Sequence, residues 1–337
     1  MKRSIIALIL LAWWCASAVG QTQKLQKLAQ TGMKFLSVTT DARTSAMGEA
    51  ATALEGSAAS MFFNPSGLAS LATTTDLSFG QVNWIADIKY FYGSAAFGPA
   101  RGKYGVVGLS VLSVDYGDFK GTIRDVSEKG YKDTGTFSPS AMAVGIGYAR
   151  ALSMKFSVGG VVKYVTQNLG SSIIGFDAQG GYRQRDYEEG VLAYDFGILY
   201  RTGFRSLNFG MSVRNFAQEV RYEVEGFQLP LTFKIGLAMD LLDLFPSLRL
   251  GEDALLVSVD ASHPRDYPEQ VGFGAEYVLM NTLALRAGYA FPNDEHGFSA
   301  GFGLQQRLSG IRFGLDYAYT PFGLFNEVHR FSVRLAL

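Results

Sequence analysis

Cysteine is almost missing from this chain, and the one present, Cys15, lies in an N-terminal stretch that reads as a removable leader. That excludes a disulfide framework and a thiol nucleophile from what remains. His263, His296 and His329 stand too far apart for metal-ligand spacing such as HExxH, and His263 and His296 fall in or beside predicted loops, so neither metal nor cofactor is expected. There is no GxSxG elbow and no GxGxxG between a strand and a helix, so nothing points to an enzyme. Net charge is lacking too: 30 basic against 30 acidic residues give no field for nucleic acid. Beyond residue 20 no apolar run approaches the roughly 18–20 residues of a membrane helix.

What is present starts with export. Lys2 and Arg3 precede an apolar run, Ile5 to Val19, that ends in small residues, with Ala16-Ser17-Ala18 or Ala18-Val19-Gly20 as cleavage sites. Residues 1–20 are therefore read as a signal peptide. Trp13 and Trp14 stand where lipoprotein processing needs small side chains, which argues against lipidation of Cys15. Taking Lys2 and Arg3 from the 30 basic residues leaves 28 against 30 acidic. With 39 Gly, 25 Phe and 17 Tyr in the full sequence, the chain is a candidate for an outer-membrane barrel.

From Leu77 to the last residue the pattern has period two. Tyr194, Phe196, Ile198 and Tyr200 alternate with Asp195, Gly197 and Arg201; Leu231, Phe233, Ile235 and Leu237 alternate with Thr232, Lys234, Gly236 and Ala238. One face is apolar and the other is small, polar or charged. A soluble sandwich also alternates, but these runs are long enough for the roughly 9–11 residues of a tilted span, and no helical layer is there to cover a sheet. In lipid only closure satisfies the backbone of every strand. The predicted fold is all-β: a closed antiparallel transmembrane β-barrel of about 14 strands over residues 74–337, with both ends on the periplasmic side. Long loops are predicted at Gly117 to Phe137, Asn168 to Glu188 and Phe216 to Gln228. Residues 171–183 are read as loop rather than strand, and 241–252 as an apolar loop or strand ends.

Residues 21–73 are read as a polar lead followed by a plug. Asp41 to Leu71 lacks period two and is too poor in large apolar side chains to make its own core, so it must fold against the barrel. Ser45 or Ser57 can cap short helices there. Asn64, Pro65, Ser66 and Gly67 form the predicted plug-to-barrel turn, with the Asn64 side chain bonding backbone two residues on. The charges on the non-apolar face cannot favourably meet hydrocarbon. Lys155, Lys163, Asp195, Arg214, Lys234, Glu276, Arg286, Arg312, Asp316, Arg330 and Arg334, together with Arg201 and Asp240, are therefore expected to form a lumen network tying wall to plug. Arg312 and Asp316 are the first candidates for the tether.

Several ordered stretches resemble the PorV/PorQ family of outer-membrane barrels, itself similar to the long-chain fatty-acid transporter FadL. They are ARTSAMG at 42–48, FFNPSGLA at 62–69, VNWIADIKY at 82–90, YGDFKGT at 116–122, YDFGILYRTG at 194–203, FGMSVRN at 209–215, LPLTFKIGL at 229–237, LALRAGY at 283–289, DYAYTPFG at 316–323 and HRFSV at 329–333. The resemblance runs from about residue 31 to 337, although Leu337 replaces the aromatic residue that usually ends such barrels. It implies a plugged barrel in the outer membrane of a Gram-negative-type bacterium that acts in a type IX secretion system. Its partners would be exported cargo with a C-terminal domain, other secretion components and outer-membrane lipid. Tyr116, Asp118 and Phe119, with the loop to Phe137, would be the cargo-facing region. The FadL similarity implies an alternative, passive transport of a hydrophobic ligand, and a structural scaffold is a third.

Overall fold

The computed structural model describes residues 30–126, 128–176, 178–179, 181–249, 251–293, 297–325 and 327–337. The leader, most of the polar lead and His296 lie outside them.

Eighteen strands occur among the described residues: β1 (Thr75–Asn83), β2 (Lys89–Phe97), β3 (Val106–Asp115), β4 (Phe119–Arg124), β5 (Tyr131–Phe137), β6 (Ser140–Ala151), β7 (Phe156–Phe176), β8 (Tyr182–Arg201), β9 (Asn208–Ala217), β10 (Val220–Arg221), β11 (Gly226–Phe227), β12 (Thr232–Asp240), β13 (Ala254–Pro264), β14 (Gln270–Leu279), β15 (Leu283–Phe291), β16 (Phe298–Leu308), β17 (Ile311–Pro321) and β18 (Glu327–Ala336). Leaving aside the hairpins β4–β5 and β10–β11, the other fourteen form one closed antiparallel barrel, as the alternation predicts. β1 pairs with β18 from Asp76↔Ala336 to Asn83↔His329, and Thr75 and Leu337 exchange hydrogen bonds of 3.1 and 2.8 Å at the seam. Both wall ends therefore lie at one rim, here called the terminal end; the opposite rim is the loop end.

Period two decides which way each side chain points. In β6, Ala141, Ala143 and Ala149 are buried inside, while Met142, Val144, Ile146 and Tyr148 stand exposed outside. Phe79, Phe91, Phe196, Phe302, Phe313 and Phe331 extend that outer apolar belt around the wall, and such a belt belongs in hydrocarbon.

The turns correct several expectations. The segment 117–137 is not an open loop but the hairpin β4–β5. Residues 168–188, including 171–183, continue β7 and β8 outward as a long hairpin, with register shifts after Asn168 and Ile173; the shifts break strict alternation, which hid the strands. Residues 216–228 carry β10–β11, and two 3-10 turns, Leu241–Asp243 and Pro246–Leu248, fill the region read as loop or strand ends. All three long hairpins stand at the loop end.

The segment 31–71 fills the lumen. Thr31 makes a parallel bridge with Gln228 at the loop end, and Gly32 N donates to Gln228 O at 3.1 Å. The chain then descends through a 3-10 turn (Lys34–Ser37), α1 (Ala42–Ala46) and 3-10 turns at Ala58–Phe62 and Pro65–Ser70, entering β1 at the terminal end. It brings Met33, Phe35 and Leu36 into a core with Val82, Tyr90 and Val328, and Met61 and Leu68 into another with Val106 and Val161.

Candidate functional site

The plug makes little structure of its own, so the wall must hold it. Asp41, rather than Ser45, caps α1, accepting from Thr44 N at 2.9 Å; Ser57 caps the next turn through Ala59 N at 3.2 Å. Asn64 is central. Its Oδ1 accepts from Ser66 N (3.2 Å) and Ser66 Oγ (2.7 Å), and its amide donates to Thr52 O (2.6 Å) and to Ile198 O on the wall (3.1 Å). Pro65 opens the 3-10 turn that follows. Gly67 contributes space rather than an unusual backbone angle, since a Cβ there would meet Ser60 Oγ at 2.8 Å and Leu54 O at 2.9 Å.

Glycines on the inner face let plug backbone lie directly on the wall. A Cβ at Gly159 would strike Pro65 C at 2.5 Å; one at Gly197 would strike the Asn64 side chain, at Gly210 Thr52 O, at Gly272 Gly48 O, at Gly274 Met47 O and at Gly288 Gly48 N. These positions lie on β7, β8, β9, β14 and β15, so the contact runs round much of the barrel.

Charged clamps complete the hold. Arg43 of the plug grips Glu276 through Nε (2.9 Å) and Nη2 (2.6 Å); Arg286 joins the same carboxylate (2.5 Å) to Asp316 (2.7 Å). The Glu276 carboxylate holds the Arg43 guanidinium well above its ordinary pKa. Arg201 takes both oxygens of Glu55 (3.0 and 2.8 Å) and Ser70 Oγ (2.6 Å). Asp260 accepts from Ala51 N and Thr52 N, both at 3.0 Å. Arg334 bonds Asp76 (2.8 Å) and Gly56 O, while Asp76 accepts from Ala58 N (2.7 Å).

Other expected network members sit elsewhere or bond differently. Lys163 binds Asp195 (2.7 and 2.8 Å) and Asn215 (2.6 Å) inside the wall. Arg330 donates to Thr39 O (2.9 Å) and lies over the Trp84 ring, 5.4 Å from its centroid. Arg214 and Lys234 reach only the plug carbonyls of Leu36 and Glu49, each at 3.4 Å. Asp240 caps the Leu241–Asp243 turn and pairs with Arg249 (2.8 Å). Lys155 is no part of a lumen network: it lies exposed in the β6–β7 turn, one residue before the strand whose alternation seemed to include it. Nor do Arg312 and Asp316 tether the plug directly. Arg312 is exposed at the lining of the terminal-end cavity, and Asp316 pairs with Arg286 of the wall. The plug residues that do the clamping, Arg43 and Glu55, escaped the sequence reading because the plug has no period to assign them a direction.

Cavities remain above and below the plug. The terminal-end cavity, about 550 Å3, is bordered by Asp41, Glu55, Arg307, Arg312 and Arg334. The loop-end cavity, about 870 Å3, is lined by Trp84, Tyr116, Gln167, Arg214, Lys234 and Gln270 among others. Tyr116 turns into that cavity, whereas Asp118 faces out, accepting from Ser138 Oγ at 2.5 Å, and Phe119 stacks on Phe137 in the hairpin, with centroids 5.7 Å apart. Burial pushes the Tyr116 phenol up, and that of Tyr222 up to about 12. Among the described residues no group of three His, Cys, Asp or Glu is placed to hold a metal.

A closed fourteen-stranded barrel with a lipid-facing belt and a clamped internal plug defines a class: the plugged barrels of the Gram-negative-type outer membrane. The profile of the type IX secretion system membrane protein PorP/SprF family matches residues 132–334, and the chain belongs to that family. Similar solved structures are the toluene transporter TodX of Pseudomonas putida (TM-score 0.57, 14% identity, 87% of this chain and 96% of that one), the toluene transporter TbuX of Ralstonia pickettii (0.55, 12%, 88% and 96%) and a FadL homologue of Pseudomonas aeruginosa (0.52, 12%, 88% and 98%). At such identities the likeness is one of fold. No curated protein sequence matches the chain at a significant level.

Proposed function

We propose that this barrel receives exported protein at its loop end and holds it for a type IX-like secretion machinery, while the plug keeps the lumen closed. The observation that carries the reading is the asymmetry of the molecule. The hairpins β4–β5, β7–β8 and β10–β11 all rise from one rim, above a lumen occupied by a clamped segment rather than a free channel. Membership of the PorP/SprF family supports the secretion context; the cargo-receiving role and kinship with PorV/PorQ are the finer parts of the proposal. So is the division into a cleaved leader over 1–20, a lead and plug over 21–73 and a barrel over 74–337.

The test is capture from native outer membranes. The tagged protein should enrich exported proteins sharing a C-terminal domain, and replacing residues 119–137 with a short Gly/Ser link should abolish the enrichment without unfolding the barrel. Undiminished capture by that variant overturns the role of the hairpin. A second reading, passive transport of a hydrophobic molecule, draws on the loop-end cavity. It predicts instead a stoichiometric lipid-like molecule in the purified barrel.

A further inference from the structure

Two cations at the loop end are left with few partners. Arg214 on β9 stands opposite Thr232 on β12, and Lys234 lies two residues along the same inner face. Each makes one long bond to a plug carbonyl, at 3.4 Å. Arg214 Nε is buried without a partner, and among the described residues neither side chain lies within ion-pair distance of a carboxylate, although Glu49 borders the same cavity and attracts Arg214 through space, as Asp260 attracts Lys234. Asp195, the acid nearest Arg214 along the wall, is already occupied by Lys163 at 2.7 Å and by Asn215 N at 2.6 Å. A guanidinium and an ammonium carry several donors each, and buried donors left unbonded are costly. Both side chains line the loop-end cavity.

We propose that this cavity is a subsite for a carboxylate carried on a protein segment, with Arg214 and Lys234 as its grip. The inference rests on the reading that the loop end receives exported protein, and it supplies the chemistry of recognition. Two features favour a peptide. The chain's own residues from Met33 to Thr39 already pass through the cavity, and Thr31 above them bridges to Gln228 as one strand lies beside another, so the mouth accommodates peptide backbone. The wall also sets Gln270 there, and Gln167, whose amide bonds Tyr116 OH (3.3 Å) and Tyr222 OH (3.4 Å). Amides can serve a peptide's N–H and C=O groups, but an alkyl chain would desolvate them without return.

Trp84 lines the cavity and is the one tryptophan outside residues 1–29, so it reports occupancy. The experiment titrates the full detergent-purified chain, following Trp84 emission, with a decapeptide alternating glutamate and serine, with its glutamine counterpart, and with oleate. The expected result is saturable binding of the glutamate peptide, weakened about tenfold or more both by the glutamine exchange and by Arg214→Gln with Lys234→Gln. Equal binding of the two peptides overturns the proposal, as does a folded double variant that binds normally, or oleate that binds where neither peptide competes. Should the double variant fail to fold, comparison of the two peptides on the unaltered chain decides. Capture of exported proteins that persists undiminished in the folded double variant overturns the subsite alone. Absence of capture by the unaltered chain overturns the receiving role, and the titration still decides whether the cavity takes a carboxylate.

Discussion

The two halves of the lumen hold the same plug by different chemistry. Toward the terminal end the links are carboxylate–cation pairs, Arg43 with Glu276 and Arg201 with Glu55, beside a wall pair of Arg334 with Asp76 that meets plug backbone at Gly56 O and Ala58 N. Toward the loop end Arg214, Lys234 and Arg330 reach the plug at carbonyls, those of Leu36, Glu49 and Thr39, Arg330 also donates to Thr320 Oγ1 of the wall (2.9 Å), and an ion pair of the plug lies at the rim, Lys34 with Asp266 (2.6 Å). Breaking a buried pair strands a charge, whereas releasing a carbonyl strands a neutral acceptor. The terminal half is therefore built to stay shut, and the loop half to exchange partners.

The comparison breaks most readily at Arg286. Arg286→Ala strands Asp316 in the wall and leaves Glu276 with Arg43 alone, and we expect a loss of about 3–5 kcal/mol in barrel stability, measured by urea unfolding in detergent. If Arg214→Ala loses as much, the contrast between halves fails. A second probe inserts bulk under the plug. Gly288→Val has no room beside Gly48 N, so overpacking of about 1–3 kcal/mol should push the plug off the wall and expose residues 41–71 to protease. Gly314→Ala, where the nearest atom is Arg334 Cβ at 3.6 Å, should leave cleavage unchanged.

Asn64→Ala removes bonds to both plug and wall. It should cost about 1–3 kcal/mol and raise cleavage in the same segment while the barrel stays folded. The smallest effect concerns the terminal-end turn, where Asp253 accepts from Tyr277 OH (2.6 Å) and Met280 N (3.0 Å). The Tyr277 hydroxyl holds this carboxyl below its usual range. A lowered folded pKa means that the contribution is present above the unfolded value and lost as pH falls through the folded one. Hydrogen-exchange protection at Met280 should thus drop as pH falls below about 4, but not in Asp253→Asn.

The wall was legible because a half-buried strand writes its geometry in period two. That sufficed for fourteen strands, for closure, and for the inward direction of Lys163, Asp195, Glu276 and Arg286. It failed where the period stops: Lys155 belongs to a turn, and the bulged β7–β8 extension read as loop. The plug shows the limit more sharply. Arg43 and Glu55 lie in a segment whose fold is dictated by the wall, so nothing local reveals which strand each meets. One trace of the plug's path is nevertheless written in the wall. Gly197, Gly210, Gly236, Gly274 and Gly288 all occupy inner-face positions of their strands, and such a recurrence marks where another backbone must pass. Gly159 belongs to the same series, with Pro65 set directly against it.

The route of residues 31–75 from one rim to the other has a mechanical consequence. The segment is a tether under cover, fixed to the wall by β1 below and by the Thr31–Gln228 bridge above. Force applied at the upper end would peel its attachments one at a time, beginning with Asp266 and the lone carbonyl contacts, before any of the paired clamps bore load. The same force at the lower end would meet the Glu55–Arg201 and Arg43–Glu276 pairs before the carbonyl contacts. Traction at the loop end and traction at the terminal end would thus meet unequal resistance.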